Sequence, residues 1–167
     1  MTAAFLVEPL AKKHRRDGFS SGVEALDRYF LQQVTQDMRR RVATCFVAIE
    51  RATDRVAGYY TLAATGIALR GLPEDARKKL PRYPTVPAVR MGRLAVAADF
   101  SGRGLGAALL ADAVTRTVAS EFAAYALIVD AKDEAAAKFY RHHGFSTFGG
   151  HSLMLYLPLG GLGKLVE

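Results

Sequence analysis

Hydrophobic positions in the first third of the chain recur with two periods, one helical and one alternating. Ser21 and Glu24 stand in the Ser-x-x-Glu arrangement of a capping box. Apolar residues then recur at helical spacing, which predicts a helix over about residues 21–34. Two runs rich in β-branched and aromatic residues follow, at 44–50 and 56–69, separated by the polar "RATDR". These runs predict an antiparallel pair of strands.

The middle of the chain combines a proline-rich segment with a strand, a glycine stretch and a helix. Residues 70–90 contain four of the six prolines and many charges, which indicates a short helix and a loop. The run "MGRLAVAADF" at 91–100 predicts a short strand that leads directly into "SGRGLGAALL". Beyond it Leu110, Val114 and Val118 repeat every four residues, which predicts a helix with one apolar face.

The last third predicts a strand, a helix and a hairpin. The strand is "YALIVDA" at 125–131, and an alanine-rich helix begins near Asp133 and ends at Gly144 as its C-cap. A hairpin is predicted to turn at Gly149-Gly150, and residues 160–167 are expected to form a loose tail. The whole order of elements predicts an α/β fold with a mixed sheet.

Composition narrows the class of protein. With 167 residues, half of them hydrophobic, the chain is expected to form a single domain over residues 1–167. Its one cysteine, Cys45, excludes an internal disulfide and alternates with apolar neighbours, so we expect it to pack in the core. No metal site is expected, because the four histidines lack a metal-ligand spacing: His14, His142, His143 and His151. The N-terminus reverses the order of a signal peptide and no run reaches membrane-spanning length, so a cytoplasmic protein without membrane contact is expected.

The charge balance points to an acidic partner without naming it. Lysine and arginine number 23 against 16 acidic residues, for a net charge of +7 and a pI near 9.8. The positive residues form three groups, at 12–16, at 39–41 and at 77–79 with Arg82. A single basic run is more often solvated surface than a nucleic-acid contact, but three in one small domain favour a polyanion.

The stretch after the predicted strand contains Gly102, Gly104 and Gly106 and runs into a helix. A helix start presents unpaired N–H groups and a partial positive charge, and glycines let a phosphate approach the backbone closely. The spacing is not the Rossmann fingerprint, because Leu109 stands where the third glycine or alanine is expected, and a P-loop ending is absent as well. Taken alone, the three glycines indicate either a tight turn or a phosphate-binding loop.

The surrounding residues resemble the GCN5-related N-acetyltransferases, the GNAT family. Its pyrophosphate loop, Arg/Gln-x-x-Gly-x-Gly/Ala, falls on Ser101, Gly104 and Gly106. "GRLAV" resembles the family's fourth strand, and "AAAKFYRHHGF" resembles its later helix. The chain departs from the pattern at Ser101 and at Asp133, where many members place asparagine. The resemblance implies a GNAT fold, with a mostly antiparallel mixed sheet flanked by helices and splayed central strands. It also implies acetyl-CoA as co-substrate, bound by Leu94, Ala95, Val96, Ser101, Gly102, Arg103, Gly104, Leu105, Gly106 and Ala107.

Nearly the whole chain is similar to the GNAT toxins of bacterial toxin–antitoxin modules, through "GFSSGVEALDRYF", "VAGYYTLAAT" with "VRMGRLAV", and "FYRHHGF". This resemblance implies acetylation of the amino group of aminoacyl-tRNA, which stops translation. It also implies a ribbon-helix-helix antitoxin as partner and leaves a homodimer open. The alternatives are a GNAT enzyme for a small amine or a protein N-terminus, and a non-catalytic module that binds acyl-CoA or nucleic acid.

Tyr140 matches the family's general acid, which protonates the departing thiolate. Transfer of a proton from a tyrosine with a pKa near 10 to the thiolate of a thiol with a pKa near 8.5 costs about 2 kcal/mol. From the residues alone, Tyr140 would be a packing residue of an apolar helix face. No carboxylate is identified as a general base, although Asp99 and Asp130 lie near strand ends. An α-amine with a pKa near 8 needs such a base less than a lysine near 10.4 does.

Five basic residues are candidates for contacting tRNA. Arg90 and Arg93 flank the predicted fourth strand, and they either contact RNA phosphates or pair with neighbouring carboxylates. Arg77, Lys78 and Lys79 form the basic run of the proline-rich segment.

Overall fold

The computed structural model describes residues 3–148 and 151–162. Seven strands and five α-helices lie in these ranges, and a π-helical turn at Tyr29–Gln33 joins the first two helices. The strands are β1 (Phe5–Pro9), β2 (Thr44–Glu50), β3 (Val56–Ala68), β4 (Thr85–Val96), β5 (Ala126–Asp130), β6 (Ser146–Phe148) and β7 (His151–Pro158). The helices are α1 (Glu24–Arg28), α2 (Val34–Arg39), α3 (Glu74–Lys78), α4 (Leu105–Ala119) and α5 (Glu134–His142).

The seven strands form one mixed sheet in the order β1-β2-β3-β4-β5-β7-β6. Strands β4 and β5 run parallel, with Ala88 opposite Ala126. The β1–β2, β2–β3, β5–β7 and β6–β7 pairs are antiparallel. The predicted pairing of 44–50 with 56–69 is therefore confirmed, whereas β1 was not predicted.

Contacts divide the chain into two compact units. The first comprises Met1–Ala63 with Gly92–Ala113, and the second Ala64–Met91 with Val114–Glu167. In the first unit, the Phe30 ring stacks on the Tyr59 ring at 4.3 Å between centroids. Cys45 is 1% exposed, as predicted for a core residue, and burial raises the pKa of its thiol to about 12.

The core of the second unit lies on the sheet around the end of β3 and the beginning of β4. Gly71 lies against one of its rings, because a Cβ at this position would lie 2.5 Å from Cζ of Phe148 and would require the ring to move. The buried members of this core are Ile67, Leu72, Val86, Ala88, Ala126, Ile128 and Tyr156.

The capping box predicted at Ser21 is wrong. The Ser21 hydroxyl donates to Asp27 at 2.6 Å and its N–H donates to the same carboxylate at 2.9 Å. The helix begins at Glu24 without a side-chain cap, and Glu24 instead accepts from Arg28. The serine that the pattern assigned to the helix start is therefore hydrogen-bonded to a carboxylate one turn into the helix.

The strand predicted at 91–100 begins earlier and ends earlier, because β4 spans Thr85–Val96 and a 3₁₀ turn covers Ala98–Phe100. The prolines suggested a loop for 85–90, but the carbonyl of Pro87 accepts from the Tyr125 N–H at 2.8 Å, where the pairing with β5 begins. A proline at this early strand position keeps its acceptor and lacks only the donor.

The other predicted elements are confirmed in outline. Helix α4 follows the glycine stretch, β5 follows α4, and Asp133 is the N-cap of α5. Gly144 follows that helix with φ at 95°. Strands β6 and β7 pair as the predicted hairpin, but its turn at Gly149-Gly150 lies outside the described residues, as do residues 163–167 of the predicted tail.

Candidate active site

The glycine stretch lies between β4 and α4, in the first unit. Gly102 and Gly104 have φ values of 78° and 77°, in the left-handed region that favours glycine. A Cβ at either position would meet no atom within 4 Å, so the loop backbone borders open space. The Ala108 N–H donates to the Gly104 carbonyl at 3.1 Å, which makes Gly104 the residue before the first helical turn. The N–H groups of that turn have no acceptor within the helix and are available to an anion.

Ser101 plays a different part from the arginine or glutamine of the family pattern. Its hydroxyl donates to the carbonyl of Ala98 at 2.7 Å, which closes the 3₁₀ turn before the loop. The serine side chain therefore stabilises the turn of its own chain. The groups that the loop offers to an anion are therefore its backbone N–H groups and the neighbouring cation, Arg103.

Two guanidinium groups flank the ring of Phe100 beside this loop. Those of Arg55 and Arg103 lie 4.8 and 5.2 Å from the ring centroid. Arg55 also pairs with Asp99, and this hydrogen bond holds the pKa of the carboxyl below its usual range. Arg103 forms an ion pair with Glu50 at 3.7 Å, and its side chain is more than half exposed beside the loop.

The end of β4 supplies the three residues expected to meet the pantetheine arm. Ala95 is buried, while Leu94 and Val96 are half-buried. A Cβ at Gly58 would lie 2.8 Å from the Ala95 carbonyl oxygen, so the glycine in β3 permits a close approach to this segment. Next to it, the Ala97 N–H donates to the Ala57 carbonyl at 2.8 Å, which joins the end of β4 to β3.

Tyr140 lies in the second unit, on the buried face of α5. The Asp133 carboxylate accepts from the Ala136 N–H at 2.8 Å, which fixes the start of the helix that carries it. The Tyr140 ring makes edge contacts with Phe139 and Phe145, at 5.3 and 5.5 Å between centroids. Burial raises the pKa of its hydroxyl to about 12.

The Tyr140 hydroxyl has no hydrogen-bond partner among residues 3–148 and 151–162. Every fully buried side-chain polar atom in these ranges does have one. The hydroxyl therefore keeps some accessible surface although the residue is only 8% exposed. Such a group is neutral at physiological pH and free to donate a proton to a bound molecule.

Two of the predicted RNA-binding arginines have protein partners in the structure. Arg90 pairs with Asp130, which is the carboxylate alternative that the sequence left open. The Arg93 guanidinium lies 3.5 Å from the centroid of the Tyr29 ring, a cation–π contact. The remaining candidates, Arg77, Lys78 and Lys79, are exposed on and just after α3.

Sequence reasoning missed the polar network behind Arg93. The Tyr29 hydroxyl donates to Asp37 at 2.8 Å, and Gln33 donates to the same carboxylate at 3.0 Å. These bonds lower the pKa of Asp37, with the Gln33 bond the larger cause. The apolar periodicity identified Tyr29 as a helix-face residue, but an aromatic ring in such a pattern gives no sign of a polar role.

Two kinds of feature, a metal site and a membrane-spanning helix, are absent from the described ranges. No group of three histidine, cysteine, aspartate or glutamate side chains within residues 3–148 and 151–162 could hold a metal ion. None of the helices in that part of the chain has the length and apolar character needed to span a bilayer.

Comparison with known proteins gives a consistent picture. The model of the family "Acetyltransferase (GNAT) domain" matches residues 41–147. A curated "tRNA-acetylating toxin" of Mycobacterium tuberculosis is 36% identical over 141 residues, which are 83% of this chain and 82% of the relative. The structure of AtaT complexed with acetyl-methionyl-tRNAfMet has a TM-score of 0.89 at 27% identity, and that of a tyrosine-to-phenylalanine mutant of KacT has 0.89 at 26%. Each covers 98% of this chain and 99% of its own. The chain has the fold of these proteins and belongs to the GNAT family of acetyltransferases.

Proposed function

We propose that this protein is a toxin that transfers the acetyl group of acetyl-CoA to the amino group of aminoacyl-tRNA and so blocks translation. The observation that carries the proposal is the 36% identity with a tRNA-acetylating toxin over 83% of the chain. The chain is homologous to such toxins along its length, and AtaT at 27% identity is known with an acetylated aminoacyl-tRNA.

The residues of the glycine loop fit the pyrophosphate of acetyl-CoA. Open space borders Gly102 and Gly104, and the helix start adds N–H donors from Leu105 to Ala107. We assign the pyrophosphate to residues 101–107, with Arg103 as the nearby cation, and the pantetheine arm to Leu94–Val96. When bound, acetyl-CoA supplies the activated acyl group as a thioester. The AtaTR complex, 26% identical in sequence, is known with acetyl-CoA bound.

We assign Tyr140 the role of general acid. The amine nitrogen attacks the thioester carbonyl, the carbon–sulfur bond breaks, and the Tyr140 hydroxyl gives its proton to the departing sulfur. The nitrogen, now part of an amide, releases its extra proton to solvent, and the Tyr140 phenolate takes a proton back from solvent. Because the pKa of the hydroxyl is raised to about 12, Tyr140 stays protonated until negative charge develops on the sulfur. The Tyr-to-Phe mutant of KacT is the corresponding kind of variant in a relative.

The amine is proposed to enter the reaction in its neutral form. Asp99 pairs with Arg55 and Asp130 with Arg90, so each of the carboxylates considered as a base is held by an arginine. A substrate with an α-amino pKa near 8 supplies a large neutral fraction at pH 7 to 8, which suits aminoacyl-tRNA.

The partners follow from this activity and from the relatives. AtaT at 26% identity is known in a complex with AtaR bound to DNA. We propose an antitoxin of the ribbon-helix-helix type for this chain, a homodimer as its assembly, and the cytoplasm, where charged tRNA is found, as its location.

The test is to incubate a mixture of charged tRNAs with the protein and acetyl-labelled acetyl-CoA. We expect label on the aminoacyl end of at least one tRNA, at a rate that falls steeply as salt is raised, because phosphate contacts release counterions. Label on small amines or protein N-termini alone, with little dependence on salt, would instead establish the other acetyltransferase activity. Bound acetyl-CoA without any acetyl transfer would indicate a non-catalytic module.

A further inference from the structure

A cavity of about 520 Å³ lies in the second unit, where β3 ends and β4 begins. Arg77, one of the candidates for contacting tRNA, lines it, whereas the residues assigned to acetyl-CoA and to proton transfer do not. The lining of the cavity is mainly apolar and includes two arginines; the lining residues are Ala68, Leu69, Arg70, Arg77, Pro84 and Thr85. Its volume is large enough for one nucleotide.

The wall of this cavity is fixed to the core. The Leu69 N–H donates to the Pro84 carbonyl at 3.1 Å, which ties the two ends of the connecting segment together. Leu72 is buried in the core of the unit and Leu80 packs against it. Gly71 lies against the Phe148 ring, and a side chain at this position would require that ring to move. The two arginines therefore project from a chain segment whose position is set by packing.

The cavity is positively charged. Arg70 and Arg77 are exposed, and neither forms an ion pair with any residue in the described ranges 3–148 and 151–162. No aspartate or glutamate is among the residues that line the cavity, and Glu74 on the neighbouring helix lies 3.7 Å from Lys78. Arginines without a carboxylate partner beside an apolar cavity can bind a phosphate through paired N–H donors.

An exposed aromatic ring adjoins the cavity along the chain. Tyr83 is 63% exposed and directly precedes Pro84, one of the lining residues. Proteins recognise unpaired nucleotides by stacking the base on an aromatic ring while cations hold the backbone. A duplex offers no free base face to such a ring, so the combination of features favours a single strand.

We propose that the cavity between Arg70 and Arg77 binds an unpaired nucleotide of the RNA substrate, with its phosphate on the two arginines and its base stacked on Tyr83. This proposal rests on the proposed function and deepens it, because it names where the single-stranded part of the tRNA is held. The reaction chemistry does not depend on it.

The experiment uses the full chain and a 5′-fluorescein-labelled single-stranded RNA ending in CCA, with the same RNA as a duplex for comparison. Binding is followed by fluorescence anisotropy. We expect the single strand to bind at least about tenfold more tightly, and Tyr83→Ala to weaken it about fivefold or more, since each stacked base contributes that much. Tyr83→Phe, which keeps the ring, should stay within about twofold of wild type.

Lys79→Ala is the matched control for charge, because Lys79 is exposed, follows α3 directly and does not line the cavity. Arg70→Ala and Arg77→Ala should each weaken the single strand more than Lys79→Ala does. On charged tRNA, these two variants should raise KM and leave kcat near wild type. All these side chains are exposed, so unchanged melting midpoints will show that the variants fold.

Equal binding of single strand and duplex, an unaffected Tyr83→Ala, or equal losses in Arg77→Ala and Lys79→Ala would each overturn the proposal. Failure of the proposed function has a different signature, because wild type would then acetylate no charged tRNA whatever the RNA-binding result. Tight binding of single-stranded RNA by such an inactive wild type would still support the cavity as an RNA site.

Discussion

Replacing Tyr140 with phenylalanine tests the mechanism most directly, because it removes one oxygen and leaves the packing in place. The hydroxyl has no hydrogen-bond partner within the described ranges, and the ring contacts with Phe139 and Phe145 do not involve it. We therefore expect the free energy of unfolding to change by less than about 0.5 kcal/mol. Acetyl-CoA affinity, measured by calorimetry, should change by less than twofold.

Turnover should fall much further, by about 10² to 10⁴ in kcat, as is typical for the loss of a general acid. Burial makes this acid weaker than the sequence suggested. A proton moving from a hydroxyl with a pKa of about 12 to a free thiolate near 8.5 goes uphill by about 5 kcal/mol, instead of about 2. The proton transfer should therefore accompany the breaking of the carbon–sulfur bond, while negative charge is still accumulating on sulfur.

The pH profile provides the second readout. In the role proposed for it, Tyr140 donates from its neutral form, which is present below its pKa and lost as pH rises through about 12. The wild-type rate should thus rise from pH 6 to 8 with deprotonation of the amine and should not fall between pH 8 and 10. Tyr125→Phe is the matched control, because it removes a tyrosine hydroxyl from the same unit and should keep activity within about twofold. A Tyr140→Phe enzyme within threefold of wild type, or a basic limb near pH 9 that disappears in the variant, would refute the reasoning.

Three further substitutions test the supports of the site. Gly104→Ala should cost about 1 to 2 kcal/mol of conformational strain at φ 77° and weaken acetyl-CoA binding in calorimetry, whereas Gly160→Ala, with open space and no positive φ, should change neither. Asp133→Ala should lower the free energy of unfolding by about 1 kcal/mol in urea titrations, because the Ala136 N–H loses its cap; an unchanged midpoint would contradict this. Gly58→Ala should destabilise by about 1 to 3 kcal/mol, because its Cβ would lie 2.8 Å from the Ala95 carbonyl; a stability equal to wild type would show that β3 can move away freely.

Local signals predicted the elements whose causes are local. The Asp133 cap and the left-handed Gly144 define α5, and both are visible as residue types at fixed offsets from an apolar run. The same reasoning failed at Ser21, where two candidate carboxylates compete. Its hydroxyl is bonded to Asp27 and the helix starts at Glu24 without a side-chain cap. A capping-box pattern shows that a serine–helix hydrogen bond is possible, but tertiary structure determines whether that hydrogen bond or another one forms.

The missed features depend on residues far apart in sequence. Asp112 accepts a hydrogen bond from Tyr60, which is 52 positions away, and Arg93 lies over a ring 64 positions earlier in the chain. Strand β1 was missed because its five residues show no clean alternation, and pairing with β2 sets its register. The family pattern supplied the site residues, since glycines and a tyrosine on a helix face would each have fitted a purely structural role.

The protonation states of the candidate site residues favour a substrate with an α-amino group. Burial keeps the Tyr140 hydroxyl protonated, so this residue suits the proposed donation of a proton to sulfur. The carboxylates of Asp99 and Asp130 are paired with arginines, so neither is assigned as the base that removes a proton from nitrogen. At pH 7.5 about a quarter of α-amines with a pKa near 8 are neutral, against about one lysine in a thousand. For an acetyltransferase without an assigned base, the neutral fraction of an α-amino substrate is thus about two hundred times that of a lysine substrate. Because the esterified amino acid of a charged tRNA presents such a group on a polyanion, the basic surface and the absence of an assigned base lead to the same substrate.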